Sequence, residues 1–242
     1  MLASPSLYDW GAAQALVWPN EVGDVFSGLH RPSGIIVADS GAFVYGDDHW
    51  SVYMQDVLHA VYENTGQRCI LVARGGASFN HWDVSRTYHH VFQCIKERCD
   101  APLFMVWVSL GNDLYPPRAD MRKYEAGVLA AVSSLLTQAF AYCPRHCFLY
   151  GASSEVWQYA KHFDSAECRE YDRLVGVVCG HFLAGRSTYP GLDARTGAEL
   201  LHAVELVDRI GHFSSGSIGM LRHFYIEIVQ WGMMWGMSRS RL

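Results

Sequence analysis

Four short apolar runs, each closed by a chemically loaded turn, constrain this chain more than anything else in it. They are Ile35-Ile36-Val37-Ala38-Asp39-Ser40-Gly41, Leu71-Val72-Ala73-Arg74-Gly75-Gly76, Val106-Trp107-Val108-Ser109-Leu110-Gly111-Asn112-Asp113 and Val207-Asp208-Arg209-Ile210-Gly211-His212-Phe213-Ser214. Runs with no polar alternation have no face to offer water, so they read as strands covered on both sides. Between them the apolar spacing changes to three and four. Val52, Tyr53, Val57, Leu58, Val61 and Tyr62 form one such stripe, and Gly66 just beyond it suits a helix C-terminus.

This alternation predicts strands over Gly34–Asp39, Cys69–Ala73, Leu103–Ser109 and His146–Tyr150. It predicts helices over Trp50–Asn64, Thr87–Arg98, Met121–Tyr142, Tyr171–Leu183 and Ser214–Gly232, with Ser214 or Ser215 as the last helix's N-cap. Ala198–Val207 reads as a helical start feeding a short final strand. Strands alternating with helices imply a three-layer α/β/α sandwich, its mostly parallel, flavodoxin-like sheet holding about five strands joined by right-handed crossovers. Residues 1–33, with Pro5, Pro19 and Pro32, read as an irregular lead-in. The domain proper is expected over 34–232, followed by a C-terminal tail over 233–242.

Composition narrows the function classes. A chain of 242 residues can bury roughly 70–75% of its unfolded surface, so a full core is available. The net charge of −5 removes any electrostatic reason to expect nucleic acid. No run of about 18 apolar residues is present, so no membrane span is expected. Met1 to Trp10 lacks the basic start and apolar stretch of a signal peptide, which gives a cytoplasmic reading. Seven cysteines are scattered rather than framed, and neither Cys94 with Cys99 nor Cys143 with Cys147 has zinc spacing. They read as free thiols. Asp47-Asp48-His49 and His81-Trp82-Asp83 read as polar loop residues, so no metal and no organic cofactor is expected. The Trp- and Met-rich end (Trp231, Met233, Met234, Trp235, Met237) reads as a buried or partner-covered tail.

In an open α/β sheet, ligands bind beyond the carboxyl ends of the strands. Ser40, Gly75, Asn112 and His212 would all lie at that edge: a nucleophile, two kinds of hydrogen-bond donor and a base. Ser40 is a weak nucleophile unless an imidazole takes its proton, and His212 can do so near neutral pH. Asp208 would hold the imidazole tautomer. Asp39 reads as structural, its carboxylate suited to backbone N–H groups of the turn.

Together these blocks resemble the SGNH hydrolase superfamily, the GDSL esterases and lipases, as a divergent member. The family's Gly-Asp-Ser block reads Ala38-Asp39-Ser40 here, and its second glycine block reads Arg74-Gly75-Gly76. Its Gly-x-Asn-Asp block reads Leu110-Gly111-Asn112-Asp113, and its Asp-x-x-His block reads Asp208-Arg209-Ile210-Gly211-His212, one residue longer. The resemblance spans Gly34 to Trp231. It implies a serine esterase that forms an acyl-enzyme on Ser40 with His212 as general base. It assigns the oxyanion donors to the N–H groups of Ser40 and Gly75 and the Asn112 side chain. The substrate class it implies is a small-molecule, glycan or lipid ester. A second reading is a non-catalytic SGNH-like binding module, to which Ala38 and the altered spacings are suited. The Gly-x-Ser-x-Gly elbow is absent, because Gly151-Ala152-Ser153-Ser154-Glu155 lacks the closing glycine. A flavodoxin-like nucleotide-binding domain is argued against by the missing phosphate-binding loop.

Overall fold

A five-residue strand with every side chain buried belongs in the middle of a sheet, and Gly34–Ala38 lies there. The computed structural model describes residues 6–9, 14–17, 34–38, 50–74, 78, 104–109, 112, 121–142, 147–151, 164–185, 192–196, 216 and 218–239. Within them the strands are β1 (Ser6–Asp9), β2 (Gln14–Val17), β3 (Gly34–Ala38), β4 (Cys69–Ala73), β5 (Phe104–Ser109), β6 (Cys147–Gly151) and β7 (Leu192–Thr196). The long helices are α1 (Trp50–Thr65), α2 (Met121–Tyr142), α3 (Ser165–Ala184) and α4 (Ile218–Arg239).

The strands form one sheet in the order β1-β2-β4-β3-β5-β6-β7. All pairs from β4 to β7 are parallel, whereas β1–β2 and β2–β4 are antiparallel. Numbered by themselves, the parallel strands run 2-1-3-4-5, the flavodoxin-like doubly wound order. The winding order reverses after β4, from β3 to β4 and then back past β3 to β5, so right-handed crossovers place α1 on one face and α2 and α3 on the other. Helix α4 joins α1, and α2 packs with α3. This is the three-layer sandwich expected from the sequence.

Glycine and phenylalanine share one position in that core. Gly34 and Phe104 are register partners, and a Cβ on Gly34 would collide with the Phe104 ring. Gly232 of α4 approaches the same ring from above, where its Cβ would lie 3.0 Å away. Phe104 is fully buried between them. The contact also sets the faces of the sheet. Side chains alternate along a strand, so Ala38, Ala73 and Val108 share Phe104's face beneath α1 and α4. Val37, Val72 and Trp107 face α2 and α3.

The sequence expectation departs from the structure in four places. The first is the strand count, seven instead of about five, because the lead-in is not irregular throughout. Ser6–Asp9 and Gln14–Val17 are strands in antiparallel register. Four-residue strands at a sheet edge draw their order from the neighbouring ladder, so no long apolar run announces them.

The second is β7, whose sequence Leu-Asp-Ala-Arg-Thr alternates polar and apolar residues as an edge strand does. The third is the start of α3 at Ser165, six residues before Tyr171. Its N-cap, Asp164, accepts from the N–H groups of Ala166 (2.7 Å) and Glu167 (2.9 Å). The Glu167 carboxylate accepts from the Asp164 N–H in return (2.9 Å), completing a capping box. The first turn and a half is polar, and burial begins only at Tyr171.

The fourth departure is the tail, since α4 continues through Gly232 to Arg239. Gly232 is a packing position for Phe104 and does not stop the helix. Trp231 is buried as expected, whereas Met234 is 66% exposed. The helix expected over Thr87–Arg98 and the segment Ala198–Val207 lie outside the described residues. No described helix is long and apolar enough to cross a membrane.

Candidate active site

The carboxyl ends of β4, β3 and β5 form a level row. Ala38 is the register partner of Ala73 on one side and Val108 on the other. With strands about 4.8 Å apart, the three exits span roughly 10 Å. The row is held beyond the strands as well, because the Arg74 N–H donates to the Ala38 carbonyl at 3.2 Å. Topology adds a second feature. The connection from β3 runs to β4 and that from β5 runs the other way to β6, which makes the β3 and β5 ends the switch point of a doubly wound sheet, where such folds bind ligands.

Chain order connects this row to the candidate residues. Asp39 and Ser40 follow Ala38 directly, Arg74 and Gly75 follow Ala73, and Asn112 comes three residues after Ser109. Asn112 is half-buried and already engaged by a neighbour. Ser40, Gly75, Asp208 and His212 lie outside the described residues, as do Asp39, Asp47, Asp48, His49, His81 and Asp83.

The flanks of the Asp208–His212 segment are described. Helix α1 leaves the β3 carboxyl end and returns to the β4 amino end. Helix α4 runs alongside it in the same direction, since Arg222, early in α4, pairs with Asp56 in the middle of α1, and Gly232, later in α4, meets Phe104 at the amino edge. The carboxyl end of β7 and the N-terminus of α4 therefore lie at the carboxyl edge of the sheet. His212 is six positions before Ile218.

Two surroundings of the row bear on its chemistry. Ser78 is 8% exposed, the one buried polar residue among those described, and the sequence reading did not single it out. Its signal was composition: a hydroxyl three residues past Gly75, inside a run of small residues. The described thiols near the core offer no rival nucleophile. Burial pushes the Cys69 thiol up to about 12 and the Cys179 thiol up to about 11, so both stay protonated at neutral pH. No group of His, Cys, Asp and Glu among the described residues is arranged to hold a metal.

No protein-family model matches the sequence, and no curated protein matches it either. Solved structures do. A family two carbohydrate esterase from Clostridium thermocellum, in complex with cellohexaose, superposes with a TM-score of 0.58 at 13% identity. The match covers 85% of this chain and 66% of that one, so this chain spans just under two thirds of its length. An acetylxylan esterase from Geobacillus stearothermophilus superposes with a TM-score of 0.54 at 13% identity, covering 83% of this chain and 95% of that one. A serine-to-alanine variant of the latter, a catalytic mutant of that enzyme, superposes with a TM-score of 0.55. The likeness is one of fold: this chain shares the α/β/α architecture of these esterases.

Proposed function

We propose that this protein is a serine esterase of SGNH type that cleaves a carboxylic ester through an acyl-enzyme on Ser40. The observation that carries the reading is the switch point. The β3 exit leads to Ser40 in two residues, the neighbouring β4 exit leads to Gly75, and the β5 exit leads to Asn112. Two peptide steps of about 3.8 Å keep the Ser40 Cα within roughly 8 Å of the Ala38 Cα. Gly75 is bound in the same way to Ala73, so covalent geometry alone keeps the proposed nucleophile and donor close to two neighbouring strand ends. The Asp208–His212 segment is assigned to the same edge on the ground that β7 ends there and α4 begins there.

In the proposed cycle His212 takes the Ser40 hydroxyl proton while Oγ attacks the ester carbonyl carbon. The carbonyl oxygen becomes an oxyanion, held by the N–H groups of Ser40 and Gly75 and by the Asn112 amide. His212 then returns the proton to the leaving alcohol as the ester C–O bond breaks. Water, deprotonated by His212, attacks the acyl-enzyme and releases the acid and free Ser40. Asp208 keeps the His212 Nδ1 proton in place and stabilises the imidazolium. The one-residue extension before His212 contains Gly211, whose freedom at positive φ gives the turn room to bring the carboxylate back.

The solved neighbours are carbohydrate esterases, one of them an acetylxylan esterase, so acetylated oligosaccharides head the substrate panel. The deciding experiment is labelling with a fluorophosphonate probe. Ser40 is expected to carry the adduct by peptide mapping, and Ser40→Ala is expected to lose it. A protein that neither labels nor turns over any ester is the non-catalytic module instead.

A further inference from the structure

We propose that Ser133 and His181 form a second acyl-accepting pair, outside the candidate active site, which takes an acyl or phosphonyl group from small activated donors such as aryl esters. The inference stands apart from the esterase reading. Ser133 Oγ lies 2.6 Å from His181 Nε2, on an exposed surface between α2 and α3. At that distance a neutral imidazole can take a hydroxyl proton. His181 is in the last turn of α3. A helix crossing between parallel strands ends at the amino edge of the sheet, so the pair lies away from the row of β3, β4 and β5 exits.

The two side chains meet because their backbones are held. Arg173 of α3 donates to the Glu125 carboxylate of α2 at 3.1 Å, and eight residues further along each helix stand His181 and Ser133. Both links join positions 48 apart, so the helices run parallel and in one register over about 12 Å. The surface beside the pair is open. Gly127 of α2 and Gly176 and Gly180 of α3 are exposed, and among the described residues nothing stands within 4 Å of where a Cβ would be on any of them. A small donor can therefore approach Ser133. In the proposed step Oγ attacks the acyl carbon while its proton passes to His181 Nε2. The aryl oxide leaves with the electrons of the broken C–O bond, His181 gives up the proton to it, and Ser133 remains as an ester. The interior N–H groups of both helices are spent on their own helical hydrogen bonds, so they offer nothing to an oxyanion. The pair accordingly needs a good leaving group, and it stalls as the adduct instead of turning over.

The test exposes Ser40→Ala protein to excess fluorophosphonate probe and, separately, to p-nitrophenyl acetate, with intact mass and peptide mapping as the readout. Ser133 is expected to carry the phosphonyl adduct from the first and an acetyl group removable by alkaline hydroxylamine from the second, which separates the ester from amides on lysine. Adding His181→Gln to that background is expected to slow modification of Ser133 roughly 10²-fold, with circular dichroism checking that the helices are intact. An unmodified Ser133, or one modified equally fast without His181, overturns the pair. Should the variants fail to fold, mapping of the labelled wild type decides the matter, since Ser133 is expected there as a second adduct slower to form than that on Ser40. A label on Ser133 with none on Ser40 keeps this pair and removes the esterase reading. A label on Ser40 with none on Ser133 does the reverse.

Discussion

The two ends of the central strands are built on opposite plans. At the amino-terminal edge, Gly34 and Gly232 give up their side chains so that the Phe104 ring can fill the space between strand and helix. At the carboxyl-terminal edge the row closes on Ala38, Ala73 and Val108, and the polar groups begin directly beyond it: the Arg74 N–H, Ser78 and Asn112. The first edge is filled, and the second is left small with its donors close by. Substitutions at the amino edge should therefore register as stability, and those at the carboxyl edge as rate.

The largest effect expected is at the carboxyl edge. Ser40→Ala and His212→Ala should each lower kcat by roughly 10⁴–10⁶-fold, and the double variant should be little worse, because the pair acts as a unit. Melting temperatures should stay near wild type. Additive losses would point to a different nucleophile. Asp208→Asn should cost about 10⁴-fold in kcat by favouring the wrong tautomer of His212. Near-normal activity of that variant would reduce the triad to a Ser40–His212 dyad. Asn112→Ala should lower kcat by about 10²–10³-fold with KM nearly unchanged.

The amino edge provides the converse. Phe104→Ala should cost about 3–5 kcal/mol of stability and Gly34→Ala about 1–3 kcal/mol through overpacking. Both are measured by denaturant unfolding, with kcat per folded molecule unchanged. A Gly34→Ala protein of normal stability and reduced kcat would erase the distinction between the two edges.

The smallest effect is expected at the exposed start of α3. The N–H groups of Glu167 and Ala166 hold the Asp164 carboxyl below the usual carboxylate range, with the charge of Arg169 adding to this. A depressed pKa means the contribution is present above the ordinary value near 3.9 and is lost as pH falls through the folded one. Asp164→Ala should lower the melting temperature by roughly 2–4 °C at neutral pH. The gap from wild type should close as the pH falls below the ordinary carboxylate range, as followed by circular dichroism.

How much of this was legible in the sequence depends on where each element takes its order from. Cys69–Ala73 and Met121–Tyr142 were read to the residue, because burial on both faces and a long 3.6-residue stripe are local signals. The end of α1 was legible for the same reason. Gly66 takes a φ of 68°, and its N–H donates to the Tyr62 carbonyl at 2.7 Å, which closes the helix as its position suggested. Strands β1, β2 and β7 were not read, since their order comes from a neighbouring ladder. The end of α4 was misread because a glycine that makes room and one that ends a helix look alike until the ring beneath is known. At the candidate site, the β3, β4 and β5 ends were legible and Asn112 falls beyond β5 as expected, while the strand end expected before Asp208 lies outside the described residues. The burial of Ser78 was not, because burial belongs to the assembled core.

The pairing of α1 with α4 has a consequence for how the protein is made. Asp56 and Arg222, which join the two helices, are 166 positions apart. On a ribosome adding about 5–20 residues per second, α1 emerges roughly 10–30 s before its partner exists. Throughout that interval Met54, Val57, Leu58 and Val61 and the strands beneath them can be complete while one face of the sheet still lacks half its cover. Vectorial synthesis thus leaves the nascent chain with an apolar surface that, among the described helices, α4 closes. Production of this protein should accordingly be sensitive to translation speed and chaperone supply.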